Sequence, residues 1–325
     1  MDAPRRIVSL LPSATEILFA IGAGDQVVGV TFECDHPAEA RERRIVSTSA
    51  LPEGLASADI DAFVAAAVRA GEDLYHLDAG ALADLDSDLV VTQDLCAVCA
   101  VDVSVVDDAL EHLGCTAEVL TTDPHTLAEV LGTIVVLGEA TGHRVEADAL
   151  VASLRARLDE VAARVAARST PAPRVLLLEW TDPPYAPGHW VPEMVALAGG
   201  VPVLGRAGEK SVRVTWDDAR AGAPDVVVCA PCGFDLDGSA ALARDLVASG
   251  ELPAHLPVWA VDANASFARP GPRLVDGIEA LERVVEVTAR AAAPGEWWGD
   301  LGSTTPPLLV RDGGVGGTPE GHPPR

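Results

Sequence analysis

The chain has 325 residues, 49% of them hydrophobic, enough for two packed domains and too apolar for an intrinsically disordered protein. Its 49 acidic residues against 23 basic ones give a formal net charge of −26, a field that repels phosphate backbones and anionic lipid heads and so argues against nucleic-acid and membrane-surface partners. Lys210 is the only lysine, which leaves Schiff-base or P-loop chemistry little to build on.

Residues 6–11 read as a buried strand, and Pro12-Ser13 opens a helix over 14–21, with Ser13 and Glu16 at capping-box spacing. Gly22-Ala23-Gly24 ends that helix before a strand over 27–30; it lacks the third glycine and downstream acid of a dinucleotide fingerprint. Residues 59–70 form a helix with Ile60, Phe63, Val64, Ala67 and Val68 on one face. A short helix (79–86), a strand (88–92), a helix (104–113) and a strand (116–120) complete an alternating pattern, the mark of a parallel α/β lobe.

From 124 to 168 the pattern is helical, interrupted at Thr141-Gly142-His143. The second piece, 144–168, places Leu150, Leu154, Leu158, Val161 and Val165 close to 3.6-residue spacing. A helix of about 25 residues spans roughly 37 Å, enough to run along two lobes. After Pro171 a second α/β pattern begins, with strands over 174–179, 200–204, 225–229 and 257–261. Its helices lie near 190–198, 239–249 and 272–290. The expected organisation is an N-terminal lobe (1–122), a connecting helical segment (123–170), a C-terminal lobe (171–293) and a disordered Gly/Pro-rich tail (294–325).

Two Cys-x-x-Cys motifs each follow an apolar strand run: Cys96/Cys99 after 88–92 and Cys229/Cys232 after 225–228. Ligands of open α/β sheets bind beyond the carboxyl ends of strands, so both pairs are expected near one interlobe cleft. Arg5-Arg6 precedes an apolar stretch, as in an export signal. Pro12, Ser13, Thr15 and Glu16 break that stretch, no convincing cleavage site follows, and no run of about 18 apolar residues occurs. The expectation is a cytoplasmic protein without membrane insertion, its cysteines reduced and available to metal or redox chemistry. Within the pairs, Cys229 is expected to point into the core and Cys232 to be the loop thiol; Cys34 could join the cluster, whereas Cys115 is structural. His189 precedes a helix and reads either as a cap or surface residue or, at a cleft rim, as a soft-metal or ligand contact, while His36 and His76 read as solvent-facing loop residues. Asp182-Pro183-Pro184-Tyr185 reads as a rigid loop walling the cleft. Glu33 and Glu179 end strands without a paired nucleophile, and no G-x-S-x-G, H-E-x-x-H or cobalt-ligating D-x-H-x-x-G pattern occurs, so no enzyme is expected.

Several segments carry a family resemblance across most of the chain: RIVSLLPSATEI (6–17), VGVTFECDHP (28–37), DPPYAPG (182–188), VTWD (214–217) and ARPGPR (268–273). In order and spacing they resemble the class III periplasmic binding proteins for vitamin B12 and iron-siderophores. QDLCAVCA (93–100), GHWVPEM (188–194) and PCGF (231–234) are similar to a leaderless, cobalamin-binding-protein-like group within it. The resemblance implies two Rossmann-like α/β lobes joined by one long helix, and a cobalamin or related corrinoid held between them. It puts Trp180, Trp216 and Phe267 with Arg269 at the second lobe's ring-packing positions. On the first lobe those positions fall on Glu33, Ser49 and Gln93, none aromatic. The full expected lining is Pro12, Phe32, Glu33, Gln93, Trp180, Tyr185, His189, Trp190, Trp216, Phe234, Phe267 and Arg269, with Cys96, Cys99 and Cys232 as holders of a possible soft metal ion. The expected function is non-enzymatic binding of a tetrapyrrole-like ligand; the alternative is a thiolate metal or iron–sulfur redox site. Docking on an ABC transporter is not expected without export.

Overall fold

The computed structural model describes residues 6–52, 54–70, 72, 74–82, 85–93, 117–291 and 307–311. In the first lobe the strands are β1 (Ile7–Ser9), β2 (Val27–Val30), β3 (Arg44–Ile45), β4 (Ser47–Ser49), β5 (Tyr75–Leu77), β6 (Leu89–Thr92) and β7 (Glu118–Thr121). Five of them form a parallel sheet in the order β3-β2-β1-β6-β7, while β4 and β5 pair antiparallel. Strands β1 and β6 are buried along their whole length, which is why they read as continuous apolar runs. Ile7, Leu89 and Val91 face the opening helix (Pro12–Ala20) and the helix Leu127–Thr141. Val8 and Val90, half a pleat away, face Tyr75, Leu82 and the helix Ser57–Ala70.

The second lobe holds β8 (Arg174–Leu178), β9 (Trp180–Thr181), β10 (Pro184–Ala186), β11 (Val201–Pro202), β12 (Val212–Arg213), β13 (Val226–Cys229), β14 (Val258–Ala260) and β15 (Leu308–Arg311). Its five-stranded sheet runs β11-β8-β13-β14-β15, parallel except for β15. Two expectations are corrected here. Leu308–Arg311, within the tail expected to be disordered, adds an antiparallel edge strand to β14, and partly buried Leu309 and Val310 pack on opposite core clusters. Asp182-Pro183 is the turn of a hairpin rather than part of a loop: β9 and β10 pair across it, and β12 joins as a third strand. Pro183 lies in the turn and Pro184 is the first residue of β10, a position at which a strand tolerates proline.

Between the lobes, Thr126 and Glu129 form a capping box that starts the helix Leu127–Thr141, and Gly142 (φ 78°) ends it. The helix Arg144–Ala166 then bridges the molecule; its 23 residues span roughly 34 Å. Leu154 lies in a first-lobe core cluster, Val161 in a second-lobe one, and Leu158 packs against both. Arg157 pairs with Asp276 and Glu279 on the helix Leu274–Ala291. Arg164 and Arg168 enclose the buried Glu282 carboxylate of the same helix. The expected capping box at Ser13 is absent. The opening helix starts two residues earlier, at Pro12, with Leu11 as its N-cap, and Glu16 turns to a different task.

Candidate functional site

The loops at the carboxyl ends of the two sheets meet. Glu16 and Asp35, which follow β1 and β2, face Arg269 and Arg273 beyond the end of β14. Arg269 places Nη1 3.3 Å from Glu16 Oε1 and 2.5 Å from Asp35 Oδ1, and donates from Nη2 to the Glu33 carbonyl at 3.1 Å. Arg273 donates to both oxygens of Glu16, at 2.9 and 2.5 Å. The Glu16 side chain is 3% exposed, so this carboxylate is held out of water by two guanidinium groups. Burial raises the Asp35 carboxyl, but the hydrogen bond and charge of Arg269, aided by Arg273, outweigh it and leave Asp35 below the usual range.

A second clasp closes another part of the cleft. Asp61 on the helix Ser57–Ala70 accepts from the Tyr185 hydroxyl at 3.0 Å and from Arg213 at 3.2 Å. It ties the first lobe to β10 and β12. Both clasps join acids of the first lobe to cations of the second.

Aromatic surface lies mainly on the second lobe. Trp180 follows β8 and Phe234 follows β13; their rings stand 5.7 Å apart, tilted by 54°, and both are partly exposed. The Trp180 indole N–H donates to the Asp182 carbonyl at 2.9 Å, which fixes the ring. Cys232, exposed in the same loop, donates its backbone N–H to the Glu179 carbonyl at 3.1 Å and ties the two loops together. The half-buried Glu179 carboxyl is pushed by burial up to about 7, with Ser211 donating to it. The first lobe offers Phe32, stacked 5.7 Å from the buried ring of Tyr75, whose hydroxyl donates to Glu33 at 2.8 Å. Burial raises the Glu33 carboxyl above its ordinary value.

The structure redistributes several expected site residues. Trp190 (5% exposed) and Phe267 (2%) belong to the second-lobe core, joined by the Trp190 indole N–H donating to the Phe267 carbonyl at 2.8 Å. Neither offers a face to a ligand. Pro12 and Gln93 are buried, and Arg269 is committed to the clasp rather than to ligand side groups. Trp216 starts the short helix Trp216–Ala221 and packs partly on the second-lobe core. Cys34 is no cluster member: it is buried, its sulfur 3.0 Å from the Thr15 hydroxyl, and burial pushes its thiol up to about 12. Cys229 is likewise a core thiol pushed up to about 12. Cys96, Cys99 and Cys115 lie outside the described residues; among those described, no three metal-ligating side chains converge. A separate concavity of about 400 Å³ opens at the far end of the bridging helix, where Arg164, Arg168 and Arg290 are already paired with Glu282 and Glu286. Sequence reasoning missed Glu16, Asp35, Asp61, Tyr75, Arg213 and Arg273 as cleft residues. The visible signals were the family-like segments that hold the first clasp: RIVSLLPSATEI with Glu16, VGVTFECDHP with Asp35 and ARPGPR with Arg269 and Arg273.

Residues 7–255 match the family model described as periplasmic binding protein. The chain belongs to that family. It is 28% identical over 291 residues to an uncharacterized ABC transporter substrate-binding lipoprotein, YvrC, of Bacillus subtilis (strain 168), covering 86% of this chain and 79% of the relative. Among solved structures it is similar to a periplasmic heme binding protein from Pseudomonas aeruginosa (TM-score 0.65, 22% identity, 88% of this chain and 94% of that one). It is also similar to the periplasmic vitamin B12 binding protein BtuF of Vibrio cholerae (TM-score 0.60, 22% identity, 88% and 98%). The fold is thus the class III periplasmic binding protein fold expected from the resemblance. No helix of the described residues is long and apolar enough to cross a membrane. The expectations of a cytoplasmic location and of no transporter partner find no support in a family whose relative here is an ABC transporter substrate-binding lipoprotein.

Proposed function

We propose that this periplasmic binding protein holds a flat, largely apolar ligand of the tetrapyrrole or corrinoid class between its lobes, without chemistry of its own, as the substrate-binding partner of an ABC transporter. The observation that carries the reading is the Trp180–Phe234 pair, fixed and partly exposed at the carboxyl ends of two neighbouring strands. Flat ligands gain most from rigid aromatic surface of this kind, because burial and ring packing add while little side-chain freedom is lost. Phe32 and Glu33 are the first-lobe residues suited to face such a ligand, one apolar and one polar. Cys232 stands exposed beside the pair, and a thiol there suits a ligand with a soft metal centre better than an isolated protein metal site.

The test is titration of the purified protein with cyanocobalamin and with hemin, followed by tryptophan quenching and by the ligand absorption bands. Saturable one-to-one binding by either supports the proposal. Failure of both to bind at high micromolar concentration removes the tetrapyrrole class.

A further inference from the structure

Among the described residues, His189 combines a buried unpaired side-chain atom with a left-handed backbone. Its Nε2 is buried with no hydrogen-bond partner, although the protein interior ordinarily satisfies such atoms. Its backbone stands at φ 49°, in the left-handed region that a non-glycine residue adopts only when its surroundings hold it there. Those surroundings are specific. The His189 N–H donates to the Glu209 carbonyl at 2.6 Å, and its carbonyl accepts from Gly208 at 2.9 Å. Gly188 lets the two chains approach this closely, since a Cβ there would lie 2.4 Å from the Glu209 oxygen. The backbone of residue 189 is thus held in place, and one nitrogen of its ring is left unsatisfied.

The ring adjoins Trp190, with centroids 5.6 Å apart, and His125, also at 5.6 Å with the planes 42° from each other. His125 follows β7 and His189 follows the β9–β10 hairpin, so the pair joins the connecting segment to the second lobe. Leu127 N–H donates to Glu193 Oε2 at 2.7 Å and holds the two segments together. Two imidazoles bound to one metal ion at about 2.0–2.1 Å per nitrogen bring their centroids to roughly 5–6 Å, which is the spacing here.

We propose that His125 and His189 form a site for a borderline divalent transition-metal ion such as Co²⁺, Ni²⁺ or Zn²⁺. The pair supplies two ligands, because no third His, Cys, Asp or Glu of the described residues converges with them. The remaining positions would be filled by water or by a donor of a bound molecule. Lys210 repels a cation locally, and the overall charge of −26 attracts one. The site is independent of the tetrapyrrole reading and stands or falls without it.

The experiment is Co²⁺ titration of full-length, tag-free protein, followed by visible absorption, with His125→Ala, His189→Asn and the double variant. Asparagine is chosen at 189 because it tolerates the left-handed backbone. His125→Ala is the decisive variant should His189→Asn fail to fold. Expected are ligand-field bands without a sulfur-to-cobalt charge-transfer band, at least tenfold weaker binding in each single variant, and no further loss in the double variant. Wild-type binding no tighter than that of the double variant overturns the site. So does a thiolate charge-transfer band that persists in His125→Ala, which would put the metal on cysteines.

Discussion

The two lobes share a fold but present different chemistry to the cleft between them. From the second lobe come Trp180 and Phe234, with the arginines 213, 269 and 273. From the first come mainly acids: Glu16, Glu33, Asp35 and Asp61. The charge that fastens the lobes is therefore separate from the surface suited to grip a flat ligand. Aromatic area binds by burial and is insensitive to where charges sit. Ion pairs act across the seam and set how firmly it closes.

The largest effect expected from breaking this arrangement is at Glu16. Glu16→Ala leaves two inward-facing guanidinium groups without their buried partner, and should cost about 3–5 kcal/mol of stability. Urea denaturation measures it; a loss under about 1 kcal/mol would show that the clasp is solvated and does not bind the lobes. Next comes ligand affinity. Trp180→Ala should cost about 1–3 kcal/mol, roughly 5- to 150-fold in Kd for whichever tetrapyrrole binds, with stability little changed. The contrast between lobes is wrong if Ser49→Ala, on the first lobe, weakens binding as much.

Glu179 gives a smaller effect with a definite sign. Its folded-state carboxyl titrates at about 7 against an ordinary 4.5, so the folded state binds the extra proton between those values. Stability should fall as pH rises from 4.5 to about 7 and level off above, because ionising this carboxyl is harder in the folded state. Glu179→Gln should remove that slope and be the more stable protein at pH 8, by thermal melting across the range. Identical pH profiles would sink the assignment. Smallest is the second clasp: Arg213 is 59% exposed, so Asp61→Ala should change stability by under about 1 kcal/mol. Its mark would be a more open scattering profile, one that Glu16→Ala should also show if it folds.

Much of the architecture was legible because it rests on local patterns. The apolar runs of β1, β6, β8 and β13 announced buried parallel strands, and the spacing of Leu154, Leu158 and Val161 announced a helix packed on both lobes. Glycine-free, uninterrupted 3.6-residue spacing over 144–166 leaves a chain few other ways to bury those side chains. The hairpin at Asp182 and the edge strand Leu308–Arg311 were not legible. Short edge strands make few demands on their own sequence and form because a neighbour offers unpaired backbone groups.

At the cleft, side-chain type alone indicated less. Trp180 and Trp190 look alike along the chain, yet one is partly exposed beside Phe234 and the other is sealed in the core on Phe267. Glu16 reads as a capping residue three positions from a serine, but its partners are Arg269 and Arg273, more than 250 residues away. The sequence by itself determined the long buried strands, the bridging helix and the ordering of the chain into two lobes, since those follow from periodicity over neighbouring residues. Only the tertiary structure decided which acids meet which arginines, which aromatic rings stay in contact with water, and that His125 adjoins His189. Those depend on where the strand ends of two separate sheets come to lie, and no local pattern encodes that distance.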